Sequence, residues 1–257
     1  MKSNPNHRFS FSLFHFAGYL IIGLVLALML SGSLNLLLPV SGMCEMINAV
    51  VIDPGHGGED TGCIGLHGTM EKDVNLQLAK RLAEIIQERL GIDAILTRRA
   101  DYFVAQVQRT GIANHSRADL FISLHSNSTF LPGESGQMMI FVIPELEPER
   151  EFERHAANLW DLVQKRVHGE SLRLGSLVAE EARKSGLWRK TIIKEAPLLV
   201  LKGASMPALL VEVDFLTSSQ GEDRLKDKWY QEKISEVLYR AIIRFGFSME
   251  KDPNEAE

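Results

Sequence analysis

The chain has 257 residues, 45% of them hydrophobic and 24% charged, an ordinary globular balance for one or two domains. Its formal charge of −5 comes with no dense basic cluster, which removes the electrostatic case for a nucleic-acid partner. The two cysteines, Cys44 and Cys63, are too few for a disulfide scaffold, and the strand expected between them holds them apart.

Lys2 and Arg8 precede a stretch from Phe9 to Met43 without a single Asp, Glu, Lys or Arg. Its apolar centre, Ala17 to Leu30, is followed by Ser31-Gly32-Ser33 and then by Leu34 to Val40. Read as a signal peptide, Phe16–Leu30 is the hydrophobic region and the small residues after it suit cleavage. Read as an anchor, residues 17–40 are long enough to span a bilayer with the basic end cytoplasmic. Residues 1–44 are thus expected to be a signal peptide or a signal anchor, an apolar export helix that sends the rest to the periplasm or cell envelope. A lipoprotein reading of Cys44 does not fit, because Met43 before it is not small.

Met46–Ile52 reads as a buried strand, since Val50, Val51 and Ile52 are β-branched. It runs into Asp53-Pro54-Gly55-His56-Gly57-Gly58. Pro ends the ladder there and glycines let the backbone turn, which delivers His56 at the carboxyl end of a strand. In open α/β sheets that edge is where ligands sit. Glu71 stands at the mouth of an amphipathic helix, Asn75–Leu90, with a stripe of Leu78, Leu82, Ile85, Ile86 and Leu90 and a stop at Gly91. Ala94–Leu96 is a short strand, Val104–Ser116 a helix, and Leu120–Leu124 a buried strand that ends on His125. A loop at Pro132–Gly136 leads to a strand at Met138–Ile143. One helix follows around Phe152–Val167 and another around Leu174–Ala182. Leu198–Leu201 and Ala208–Val213 read as the last two strands, Trp229–Phe245 as a closing helix, and residues 248–257 as a polar tail. Strands spaced by helices imply an α/β fold, a mostly parallel or mixed twisted sheet with helices on both faces, in one domain over residues 46–247.

His56, Glu71 and His125 together make a His₂Glu set suited to a metal such as zinc. Each also has a plain reading: a turn-capping histidine, a helix-start carboxylate in a solvated cluster with Lys72 and Asp73, and a core histidine bonded to backbone. His67 and His115 read as surface residues, although a second metal on Cys63 and His67 stays open on spacing alone. Glu212 interrupts an apolar strand, and a buried carboxylate without a partner is costly. It is therefore expected at the strand's end, facing something polar. Beside metal-activated water it would act as a general base; the alternative is a structural pair with Arg98 or Arg109.

The blocks Asp53–Gly58, Glu71-Lys72-Asp73-Val74-Asn75-Leu76, Leu96-Thr97-Arg98 with Asp101, Ala113-Asn114 through Asn127, and Pro207–Glu212 are collinear. In this order the chain resembles the zinc-dependent N-acetylmuramoyl-L-alanine amidases of the type 3 group, over roughly residues 48–245. The resemblance implies a phosphorylase/hydrolase-like α/β fold and one Zn²⁺ held by His56, Glu71 and His125. It makes Glu212 the catalytic residue and peptidoglycan the partner, cut between N-acetylmuramic acid and L-alanine of the stem peptide. Some relatives carry a helix that blocks the metal until a protein activator binds, and residues 145–170 would be its counterpart here unless they simply cover the sheet. Two positions depart from the pattern. Asp214 stands where the family's Glu-Thr-Gly-Phe has glycine, and is expected to raise the pKa of the base by like-charge repulsion; Cys63 replaces a small loop residue. Two other functions remain: a domain that binds peptidoglycan or regulates other amidases without cutting, and another exported zinc peptidase.

Overall fold

The computed structural model of the chain describes residues 47–129, 135–145 and 159–249. The expected export segment, Cys44, the Phe152–Ala156 start of a helix and residues 250–257 of the tail lie outside the described residues. Among the described residues, no helix is long and apolar enough to cross a membrane.

The elements in chain order are β1 (Ala49–Pro54), α1 (Glu71–Leu90), β2 (Asp93–Leu96), α2 (Gln106–His115), β3 (Leu120–Asn127) and β4 (Gln137–Val142). They continue with α3 (Leu159–Ser185), β5 (Lys190–Glu195), a 3₁₀ turn (Leu199–Leu201), β6 (Ala208–Phe215), α4 (Ser219–Lys226) and α5 (Lys228–Met249). The strands form one six-stranded sheet in the order β2-β1-β3-β6-β4-β5. β2, β1, β3 and β6 run parallel; β4 is antiparallel to β6, and β5 is parallel to β4.

Side chains alternate between the two faces of a strand, and here the alternation separates core from site. Val50, Ile52, Leu120, Ile122, Leu124, Leu209 and Val211 pack with Leu78, Leu82 and Ile86 of α1, Leu174 and Val178 of α3, and Ile234, Leu238 and Ile242 of α5. The other face buries Val51, Phe121, Ala208 and Leu210 against Ala113 of α2 and Val200 and Leu201 of the 3₁₀ turn. His125 follows Phe121 by four residues and Glu212 follows Leu210 by two, so both belong to this second, more thinly covered face. β1 leads through α1 to β2 on one side, while β2 leads back through α2 to β3 on the other side of β1. Connections that leave neighbouring strands in opposite directions open a crevice beyond their carboxyl ends, and that crevice lies after Pro54 and beside His125.

Four expectations change. Leu198–Leu201 is a 3₁₀ turn, with Leu201 N donating to Leu198 O and Lys202 N to Leu199 O; a four-residue apolar run is too short for periodicity to decide. β5, an edge strand of sequence KTIIKE that is mostly exposed, has too little apolar content to announce itself. The two helices expected between 152 and 182 are one along the described part, α3, which runs through Gly169. α4 was not expected either; it starts at the N-cap Ser218, whose hydroxyl accepts from Gly221 N. Within residues 145–170, Gln164 Nε2 donates to Leu201 O at 2.8 Å and His168 Nδ1 lies 3.0 Å from Ile143 O. That part of α3 is tied into the sheet layer; residues 146–158 lie outside the described residues.

Candidate metal centre

His56 sits just beyond β1 in the left-handed region at φ 63°, a conformation a non-glycine residue rarely adopts. Buried arginines hold the loop in that shape. Arg98, 0% exposed, donates from Nε to Pro54 O and from Nη2 to Gly55 O and Lys72 O. Arg109 donates to Pro54 O and His56 O, and pairs with Asp53 Oδ1 at 2.7 Å. Asp53 also accepts the hydroxyls of Thr97 and Ser123. On the outer side, Lys72 Nζ reaches Gly58 O and Asp101, while Asp101 accepts Gly58 N. Arg98 and Arg109 therefore serve the loop backbone and Asp53 and do not pair with Glu212.

Helix α1 begins at Glu71, four residues earlier than its apolar stripe suggests. This puts the Glu71 carboxylate in the first turn but pointing inward, at 4% exposure, not in a solvated cluster. Its Oε2 accepts Cys63 N at 2.9 Å. Its Oε1 accepts Asn75 Nδ2 at 3.2 Å and Ser126 N at 3.1 Å. The same Oε1 lies 3.1 Å from His56 Nε2 and 3.0 Å from His125 Nδ1. The two imidazoles meet nearly edge to face, with centroids 4.9 Å apart. Burial alone would push the Glu71 carboxyl up, but His125 and His56 reverse this and hold it far below the usual carboxylate range. For His56 burial acts downward, and Glu71 and Asp60 outweigh it to leave the pKa raised.

One ligand atom from each of His56, Glu71 and His125 lies within 4.8 Å of the others. Two imidazole nitrogens and a carboxylate oxygen at that spacing are the donor types and number that zinc takes while keeping one position open. The sharing of one oxygen by two imidazoles is the arrangement a cation between them would draw together. Among the described residues this is the only such group, so Cys63 and His67 do not make a second. Cys63 directs its Sγ to Ser126 O at 3.4 Å, and burial together with Glu71 pushes its thiol up. Gly55 is needed for close approach: a Cβ there would lie 2.2 Å from the His125 ring. Asn75 and Ser126, which steady Glu71, carried no chemical signal of their own in the sequence beyond Asn75 standing one helical turn after it.

Glu212 lies within β6 rather than at its end, in register with His125 on the neighbouring strand. In a parallel pair such residues project side by side from one face. Its Oε2 is buried with no hydrogen-bond partner among the described residues. Burial pushes its carboxyl up, to about 7, with Glu71 adding to the rise and His125 and His56 opposing it. Asp214 plays no part in this. The pairing shifts between His125/Glu212 and Asn127/Phe215, which places an extra residue in β6. Such a bulge turns a strand's side chains out of their alternation. Asp214, 0% exposed, accordingly accepts Gly136 N, two nitrogens of Arg224 and the Tyr230 hydroxyl. The expected like-charge effect on Glu212 is replaced by an ion pair in another direction.

A groove of about 400 Å³ is lined by His56, His125 and Glu212 together with the apolar side chains of Phe103, Phe141 and Leu199. The loop before α1 is anchored to α4. Glu222, 0% exposed, accepts His67 N at 2.8 Å, His67 Nδ1 at 3.0 Å and Thr69 N at 3.1 Å; His67, itself exposed, is thus tied down. Burial acts to raise the Glu222 carboxyl, but the donors from Thr69 and His67 prevail and hold it at about 2, below its ordinary 4.5. A carboxyl lowered on folding stabilises the native chain above the unfolded pKa and loses that contribution as pH falls through the folded one. Urea unfolding at stepped pH should therefore show a decline in stability between about pH 4.5 and 2 that Glu222→Gln makes shallower. Equal slopes in the two proteins would remove Glu222 as an acid-sensitive anchor.

Residues 50–244 match the N-acetylmuramoyl-L-alanine amidase family Amidase_3. AmiA of Salmonella typhimurium is 32% identical over 219 residues, 76% of this chain and 75% of its own length. AmiC of Escherichia coli is 28% identical over 215 residues, 75% of this chain; the chain spans 51% of that relative's length. Among solved structures, the amidase AmiC2 of Nostoc punctiforme superposes with a TM-score of 0.58 at 31% identity, over 77% of this chain and 96% of its own. With more than half its length matched and the sheet shared, this chain belongs to the N-acetylmuramoyl-L-alanine amidase family.

Proposed function

We propose that the chain is a peptidoglycan hydrolase that cleaves the amide between N-acetylmuramic acid and L-alanine of the stem peptide. His56, Glu71 and His125 would hold one Zn²⁺, and Glu212 would carry the proton. The observation that carries this reading is the convergence of three metal donors within 4.8 Å beside a buried, unpartnered carboxylate oxygen. When bound, the ion supplies Lewis acidity, making water acidic enough to attack near neutral pH and drawing charge from the scissile carbonyl. Glu212, with no donor on Oε2, is free to accept a proton from the attacking water and return it to the departing amine. Glu71 is kept ionised by the two imidazoles, and Arg98 and Arg109 keep the His56 loop from relaxing.

The substrate polymer lies outside the cytoplasmic membrane, and the apolar stretch at residues 17–40 supports export of the catalytic unit, residues 46–247, to the periplasm or cell envelope. Residues 1–44 would act as a cleaved signal peptide or an uncleaved anchor. The test is metal analysis of the purified chain together with mass analysis of digested sacculi. One zinc per chain and release of peptides with free L-alanine amino termini are expected. Zinc without release would instead identify a binding domain, and zinc with cleavage at another bond a different peptidase.

A further inference from the structure

Asp60 is unassigned by the reading above. It stands on the rim of the groove, in the loop after β1, where Gly57 and Asp60 bridge each other through backbone bonds of 2.9 and 3.3 Å. Its Oδ1 accepts Gly62 N at 3.1 Å and lies 2.8 Å from His56 Nδ1. The other nitrogen of that ring, Nε2, is the one facing Glu71 Oε1. Asp60 itself is not one of the three clustered donors.

Each imidazole is seated against a glycine, and His56 has Asp60 at its far nitrogen besides. His125 is seated against Gly55, where only a missing side chain leaves room for the ring. His56 hangs from a left-handed backbone beside three glycines, with its ring so close to Gly62 that a Cβ there would lie 2.7 Å from Cδ2; it is 23% exposed, and this packing does not choose between its two tautomers. A hydrogen bond at one ring nitrogen decides the role of the other. We propose that Asp60 is a positioning residue for the metal. By accepting the Nδ1 hydrogen of His56, it selects the tautomer and ring plane that present the Nε2 lone pair beside Glu71 and His125. The inference rests on His56 being a zinc ligand.

The experiment uses the full chain and compares the parent with Asp60→Ala, which removes the acceptor, and Asp60→Asn, which keeps an acceptor oxygen without the charge. Zinc affinity is read by competition with a chromophoric chelator, the cobalt-substituted spectrum reports ligand geometry, and urea unfolding is followed on the metal-free chains. Asp60→Ala should weaken zinc binding roughly 10- to 100-fold and alter the cobalt spectrum, with a far smaller effect on the metal-free unfolding midpoint, where only exposed bonds from Gly62 N and His56 Nδ1 are lost. Asp60→Asn should recover part of the affinity. Zinc affinity within twofold of the parent in Asp60→Ala would overturn the proposal. So would a loss matched by an equal loss of metal-free stability, since Asp60 would then only hold the loop. A parent chain that binds no zinc would overturn the metal reading itself, and this proposal with it.

Discussion

Glu212→Gln should cut turnover of peptidoglycan roughly 100- to 10,000-fold while leaving zinc content unchanged. Glu212 is not among the three clustered donors, so its replacement removes none of the groups proposed to hold the ion. What it removes is, among the described residues, the only carboxylate oxygen that is both buried and without a partner. An amide of the same shape cannot take the proton from water or return it to the leaving amine. The melting temperature should hold or rise, because a buried carboxylate without a donor is a desolvation cost that the neutral isostere lessens. Metal analysis, steady-state hydrolysis and thermal unfolding on one preparation decide the matter. Turnover within tenfold of the parent would take Glu212 out of the mechanism. Loss of zinc would make it part of the binding site instead.

Arg109→Met should lower the unfolding free energy by about 3–5 kcal/mol, the range for breaking a buried ion pair from one side. Asp53 is 0% exposed and Arg109 has 3% of its side chain exposed, so solvent cannot replace the lost partner. Thr97 and Ser123 would still donate to the Asp53 carboxylate and Arg98 would remain nearby, but no cation would be paired with it directly. Val104 O, Pro54 O and His56 O would each lose a guanidinium donor as well. The release of His56 O should weaken zinc binding in the same variant. Adding Asp53→Asn to Arg109→Met should recover part of the stability, because the uncompensated charge is then gone. Denaturant unfolding of the single and double variants measures both effects. A single-variant loss below about 1 kcal/mol would show that the pair is not what holds the loop.

Periodicity and residue type were enough to place most of the scaffold. The stripe through Leu78, Leu82 and Ile86, the β-branched run at Val50–Ile52 and the apolar run at Leu120–Leu124 each reappear as an element facing the core. The failures are where local signal is weak or two-sided: β5 at an exposed edge, the four-residue run at Leu198–Leu201, and the polar helix α4. His56, His125 and Glu212 could be picked out because each interrupts a pattern, and Glu71 because it stands at the mouth of an amphipathic helix. His56 sits in a glycine turn, His125 ends an apolar strand, and Glu212 breaks one.

The chain's order of residues by itself thus determined an α/β sheet and a set of chemically suited groups spread from His56 to Glu212. Which oxygen of Glu71 meets which ring nitrogen, and the service of Ser126 to that carboxylate, was decided only by folding, because these contacts join the loop after β1, α1 and β3 across long stretches of chain; Asp60 and Asn75 each stand four residues from the group they serve, and there the local backbone shape decides the contact. The same holds for Asp214. Its neighbours in sequence place it beside Glu212, and an irregularity in β6 that depends on pairing with β3 gives it to Arg224 and Tyr230. A local pattern sets the face a side chain prefers; the register between strands sets what it meets there.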